Sequence, residues 1–89
     1  MPTWSEDFSA FRLEDVLQRQ AQNRAWGKEL RLRSSALVND RLAKLISQDA
    51  YNSDRQRMNA ETVECRRRAA ILDIQINQRM KSEPMRPAQ

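Results

Sequence analysis

The sequence predicts an all-α protein with a single domain over residues 1–81, and three observations support this fold class. One glycine and three prolines in 89 residues are too few turn residues for the hairpins of a sheet. The abundant Arg, Gln, Ala, Leu and Glu favour helices. Apolar side chains also recur at intervals of three and four residues, which is the period of a helix rather than of a strand.

A first helix is expected from about residue 5 to residue 26. Thr3 and Glu6 have the spacing of a capping box, and the carboxylates of Glu6 and Asp7 favour the positive end of a helix. Gly27, the single glycine, follows this segment. It predicts either the end of the helix or a kink before the next one.

Two further helices are expected, over residues 28–50 and 54–81. The run Tyr51-Asn52-Ser53-Asp54 separates them, because Asn, Ser and Asp side chains compete for backbone hydrogen bonds and can cap a following helix. Three helices of these lengths predict a small bundle, or a helical hairpin whose first arm is broken near Gly27, completed by self-association. Pro84 and Pro87 predict a disordered tail over residues 82–89.

The third predicted helix carries two apolar stripes on nearly opposite sides. The first consists of Met58, Cys65, Ala69, Leu72, Ile76 and Met80. The second consists of Ala60, Val63, Ala70, Ile71 and Ile74, with Arg67 falling inside it. Along one flank between them lie Arg57, Glu64, Arg68, Gln75 and Arg79.

A helix with two apolar stripes needs two packing partners, and a chain of this length has only one small core to offer. We therefore expect homo-oligomerisation, with a dimer favoured, through Val63, Arg67, Ala70, Ile71 and Ile74. Arg67 would then pair with an acidic side chain such as Glu64 of the other subunit. The alternative is a monomer in which the first two helices enclose the third.

Three aromatic side chains near the N-terminus, Trp4, Phe8 and Phe11, have the spacing with which a helix places anchors into the groove of a partner protein. Aromatic residues also dominate the energetics of protein interfaces. We therefore expect these three residues to bind a partner. The alternative is that they fasten the N-terminus onto the protein's own domain.

The net charge of +4 favours acidic partners only mildly, because basic and acidic residues are interspersed. Arg66, Arg67 and Arg68 form the most basic tract and are the candidate contacts of an alternative function, nucleic-acid binding. Consecutive helical residues point in different directions, however, so these guanidinium groups do not form one compact cluster.

The chain has one cysteine and no histidine, which removes the commonest general base and metal ligand. We therefore expect no catalytic, cofactor or metal site, and we expect Cys65 to act as a small apolar side chain. The N-terminus has no targeting pattern and no segment is long and apolar enough for a membrane, which predicts a cytoplasmic protein. The expected function is that of a non-enzymatic protein–protein interaction module, such as a small helical adaptor, regulator or assembly component; the alternative is an arginine-rich helical nucleic-acid-binding protein.

Overall fold

Two helices that run antiparallel to each other form the body of the protein in a computed structural model, which describes residues 2–82. The first helix, α1, spans Leu13–Leu42, and the second, α2, spans Gln48–Ser82. No β-strand occurs in the described range, so the all-α prediction is confirmed. The prediction of three helices is wrong. The predicted tail, residues 82–89, lies outside the described range apart from the end of α2.

The N-terminal segment, residues 2–12, is not helical, so the predicted helix start near residue 5 is wrong. Side chains in this segment bond to the nearby backbone: the Asp7 carboxylate accepts from the Ser9 N–H at 3.1 Å and from the Ser9 hydroxyl at 2.7 Å. Such local bonds compete with helix formation. The helix is capped instead where the Asp15 carboxylate accepts from the Arg12 N–H at 2.9 Å.

The turn between the helices, residues 43–47, precedes the break that the sequence predicted. Lys44 adopts a positive φ of 59°, which reverses the chain, and the Ser47 hydroxyl accepts from the Ala50 N–H at 3.1 Å at the start of α2. Arg41 stabilises the turn by donating a hydrogen bond to the Ile46 carbonyl at 3.2 Å. With a serine cap already in place, the polar run over residues 51–54 continues the helix.

Gly27 neither ends nor kinks a helix, since it lies in the middle of α1. A Cβ atom at this position would lie 3.4 Å from the Cys65 Sγ atom on α2. The glycine therefore sits where the two helices approach each other closely. The sequence predicts that Gly27 interrupts a helix, whereas in the structure it allows two helices to pack closely.

The hydrophobic core consists of two clusters between the helices. One contains Phe8, Val16, Leu72 and Ile76, with Trp4, Phe11, Leu13 and Ile71 packed against it. The other contains Trp26, Leu30 and Cys65. The first predicted stripe of α2 faces α1, and its members are buried except for Ala69, which is half-buried, and Met80, which is exposed. Between residues 31 and 57 no side chain is buried.

Candidate functional site

The non-helical N-terminal segment lies along one groove between α1 and α2, and we call residues 2–12 the strap. Its three aromatic rings pack edge to face, with ring centroids 5.7 Å apart for Trp4 and Phe8 and 5.5 Å apart for Phe8 and Phe11. Phe8 is buried, and the other two rings are half-buried. The helix that was to present these residues to a partner is absent. The rings pack on the core of their own domain, as the alternative expects, and their binding of a partner stays a prediction.

Arginine side chains on the flank of α2 hold the backbone of the strap. Arg79 donates to the Phe8 carbonyl at 2.6 Å and to the Phe11 carbonyl at 3.0 Å. Arg68 donates to the Pro2 carbonyl at 3.0 Å. A non-helical segment packed on a core leaves carbonyl groups without helical partners, and charged donors satisfy them at short distances.

Arg68 is the central residue of this arrangement. Its side chain is buried, and its guanidinium group lies 5.1 Å from the ring centroid of Trp4 and 4.9 Å from that of Trp26. It thus joins the strap to α1 by cation–π contacts on two rings. The Glu64 carboxylate, 2.7 Å away, balances its charge.

Arg67 belongs to the same ionic network. It binds Glu64 through two bonds of 2.7 Å and Glu6 of the strap at 2.6 Å. Hydrogen bonds from Arg67 and Arg68 lower the pKa of Glu64 to about 2, and the bond from Arg67 lowers the pKa of Glu6. The predicted pairing of Arg67 with an acid on another subunit is not needed, because Glu64 of its own helix and Glu6 already neutralise it.

The tract Arg66 to Arg68 therefore divides among three environments. Arg66 is exposed on the side of α2 away from the strap, Arg67 is ion-paired and Arg68 is buried under the strap. The structure does not bring them together as a basic patch. Sequence analysis missed Arg79 as a strap-binding residue; the only signal in the sequence is that it shares a flank of α2 with Arg68.

The second predicted stripe lies on the side of α2 that faces away from α1. Val63 is 65% exposed and Ile74 is 54% exposed. Ile71 differs from these two because it is half-buried against the cluster around Phe8. We call the remaining members the outer face of α2; they are Ala60, Val63, Arg67, Ala70 and Ile74. No second helix of the described chain covers this face, so the predicted alternative of an enclosed third helix does not describe the fold.

Cys65 is buried against Trp26 and Leu30. Burial raises the pKa of its thiol, and the nearby positive charges of Arg68, Arg31 and Arg66 oppose that rise without reversing it. The Cys65 thiol also donates to the Asn23 carbonyl at 3.6 Å. A thiol with a raised pKa is a poor nucleophile, so Cys65 fills space between the helices.

Among residues 2–82 no group of three or more Cys, Asp or Glu side chains is placed to hold a metal ion. No helix in the same range is long and apolar enough to cross a membrane. Comparison of the chain with models of protein families, with curated proteins and with solved structures finds no match.

Proposed function

We propose that this protein is a non-enzymatic protein–protein interaction module that works through the outer face of α2 and forms a homodimer by this face. The observation that carries the proposal is the exposure of Val63 and Ile74, 65% and 54%, on the side of α2 that faces away from the core. Apolar side chains that recur along one face of a helix are typical of helix–helix contacts. The small size of the domain leaves no part of the described chain to cover them.

The outer face is complementary to itself when two copies pack antiparallel. A two-fold axis between positions 68 and 69 places Val63 opposite the second copy's Ile74, and Ala70 opposite its Arg67. Two branched apolar side chains then meet, and the small Ala70 leaves room for the stem of the long arginine. On one edge of this pair, exposed Arg66 comes next to exposed Asp73 of the second copy. The two-fold axis repeats this contact, which adds two ion pairs between opposite charges.

The energetics of this pairing favour a weak dimer. Burying a whole isoleucine contributes roughly 1.5–3 kcal/mol, and about half of Ile74 is available for burial. Ile74 on both copies therefore contributes about 2 kcal/mol before the entropic cost of association. Val63 adds a similar amount. These roughly 4 kcal/mol alone correspond to millimolar dissociation, so a micromolar dimer also requires the contacts of Ala70 with Arg67 and the ion pairs of Arg66 with Asp73.

Sedimentation equilibrium across the micromolar range tests the proposal. The unmodified protein should show a dimer mass at the upper end, and Val63→Glu with Ile74→Glu should shift it to a monomer. Leu32→Glu is the matched control, because Leu32 is 63% exposed but lies on α1. A monomer mass for the unmodified protein throughout the range would contradict the proposed dimer.

The alternative function is nucleic-acid binding through Arg66, Arg67 and Arg68. It has less support, because Arg68 already binds the Pro2 carbonyl of the strap and Arg67 already binds the Glu6 carboxylate. Titration with a random duplex and a random RNA would test it. Phosphate neutralisation makes binding fall steeply with salt, so steep salt dependence would move the proposal to this alternative.

A further inference from the structure

Three arginines recur on the strap-facing flank of α2 at intervals of 11 residues, at positions 57, 68 and 79. Eleven residues are close to three full helical turns, so these side chains leave the helix in nearly the same direction. Arg68 and Arg79 donate to backbone carbonyls of the strap. Arg57 is exposed and makes no hydrogen bond or ion pair with any other described residue. One of three equivalent donors is therefore without an acceptor.

The space between α1 and α2 beside Arg57 is not filled by any described residue. A cavity of about 260 Å³ lies there, and its apolar lining residues are Ala36, Leu37 and Met58. Met58 is buried and Leu37 is half-buried, so this part of the lining is shielded from water. Arg57 stands at the rim of this cavity, as Arg68 and Arg79 do beside the strap.

The other rim residues favour a peptide over an anion. Asp40 and Asp54 place two carboxylates at the rim, which accept from N–H groups and repel a phosphate. Arg33, also at the rim, lies 3.6 Å from the Glu61 carboxylate and 4.0 Å from that of Glu29. The rim therefore offers one unpaired cationic donor and two acceptors, the pattern that a peptide backbone with its alternating groups can satisfy.

We propose that this distal groove, between Arg33 to Asp40 of α1 and Asp54 to Met58 of α2, binds an extended segment of a partner protein. The segment places an aromatic side chain over Leu37 and Met58 and a backbone carbonyl on Arg57. Its chemistry is that of the strap, which packs aromatic rings between the same two helices and whose carbonyls accept hydrogen bonds from arginines on the same flank of α2. The site is separate from the outer face of α2.

Residues 83–89 are too few to reach the distal groove. Residues 83–89 begin at the far end of α2, which lies about 38 Å along the helix from Arg57. Seven extended residues span at most about 25 Å. Residues 83–89 are therefore not the occupant.

The test titrates the full-length, ¹⁵N-labelled protein with a synthetic peptide of the strap sequence, residues 2–12, as the probe. Amide shifts should be concentrated in residues 33–40 and 54–58. Arg57→Ala removes the proposed donor, and Ala36→Trp fills the cavity from an exposed position. Each should weaken binding by about tenfold or more, as expected for the loss of a hydrogen bond to a charged donor or of the space for an anchor.

Arg66→Ala is the matched control, because Arg66 is an exposed arginine on the opposite side of α2; it should leave binding unchanged. Circular dichroism of each variant confirms that the helices are intact. Absence of saturable binding would overturn the proposal, as would binding that neither Arg57→Ala nor Ala36→Trp weakens. Shifts confined to residues 13–30 and 60–82 would also overturn it, because they would show that the peptide only replaces the strap.

Discussion

The two ends of the hairpin differ in how much of their sequence they bury. We call the strap together with residues 13–30 and 58–82 the clasped half. It contains all the buried side chains of the described chain. In the open half, residues 31–57, Leu42 and Leu45 are 75% and 73% exposed. Both halves consist of the same two helices. The strap adds a third layer over part of the clasped half, where Phe8 joins Val16, Leu72 and Ile76 in one buried cluster. No described segment adds such a layer to the open half.

Matched leucine truncations should show the largest difference between the halves. Leu72 is fully buried against Phe8 and Val16, so Leu72→Ala should lower the free energy of unfolding by about 2–5 kcal/mol. Leu42→Ala, at an exposed position, should change it by less than about 0.5 kcal/mol. Urea denaturation followed by circular dichroism measures both. Equal losses would contradict the division into two halves.

Matched arginine truncations should show a smaller difference. Arg79→Ala leaves the carbonyls of Phe8 and Phe11 without their charged donor and should cost about 2 kcal/mol. Arg57→Ala, on the same flank of α2 in the open half, removes no described contact and should cost almost nothing. The same denaturation experiment compares them. If Arg79→Ala proves as neutral as Arg57→Ala, the strap is not held by its carbonyls.

Acid should weaken the clasped half. The pKa of Glu64 in the folded protein is about 2, below its ordinary value of 4.5, so its ion pairs with Arg67 and Arg68 stabilise the fold above about pH 4.5. This contribution is lost as the pH falls from 4.5 toward 2, and the lowered pKa of Glu6 acts in the same direction. Unfolding free energies measured between pH 6 and pH 2 should fall less steeply for Glu64→Gln. Parallel curves for this variant and the unmodified protein would show that Glu64 does not contribute to the pH dependence of the unfolding free energy.

The sequence predicts the helices better than it predicts their ends. Periodicity identified the face of α2 that packs on α1, because burial of Cys65, Leu72 and Ile76 follows directly from their spacing. Gly27 misled the prediction, since a glycine that allows two helices to approach has the same sequence signal as one that ends a helix. Local patterns alone do not distinguish the two.

The strap could not be predicted from periodicity at all. Trp4, Phe8 and Phe11 fit the spacing of a helix, yet turn bonds around Asp7 and carbonyl contacts to Arg79 favour an extended path. Those contacts join residues about 70 positions apart in the chain. Only the tertiary fold reveals them, and the same is true of the distal groove, whose lining residues come from both helices.

Native-state hydrogen exchange tests the central claim, that the strap stabilises one half of the hairpin and leaves the other weakly held. It is best measured on the Val63→Glu, Ile74→Glu variant, so that self-association does not add protection. Amides of residues 31–42 and 48–57 should exchange at least about tenfold faster than those of residues 16–30 and 58–76, because the open half can unfold locally without disrupting a core. Uniform protection along both helices would contradict the account.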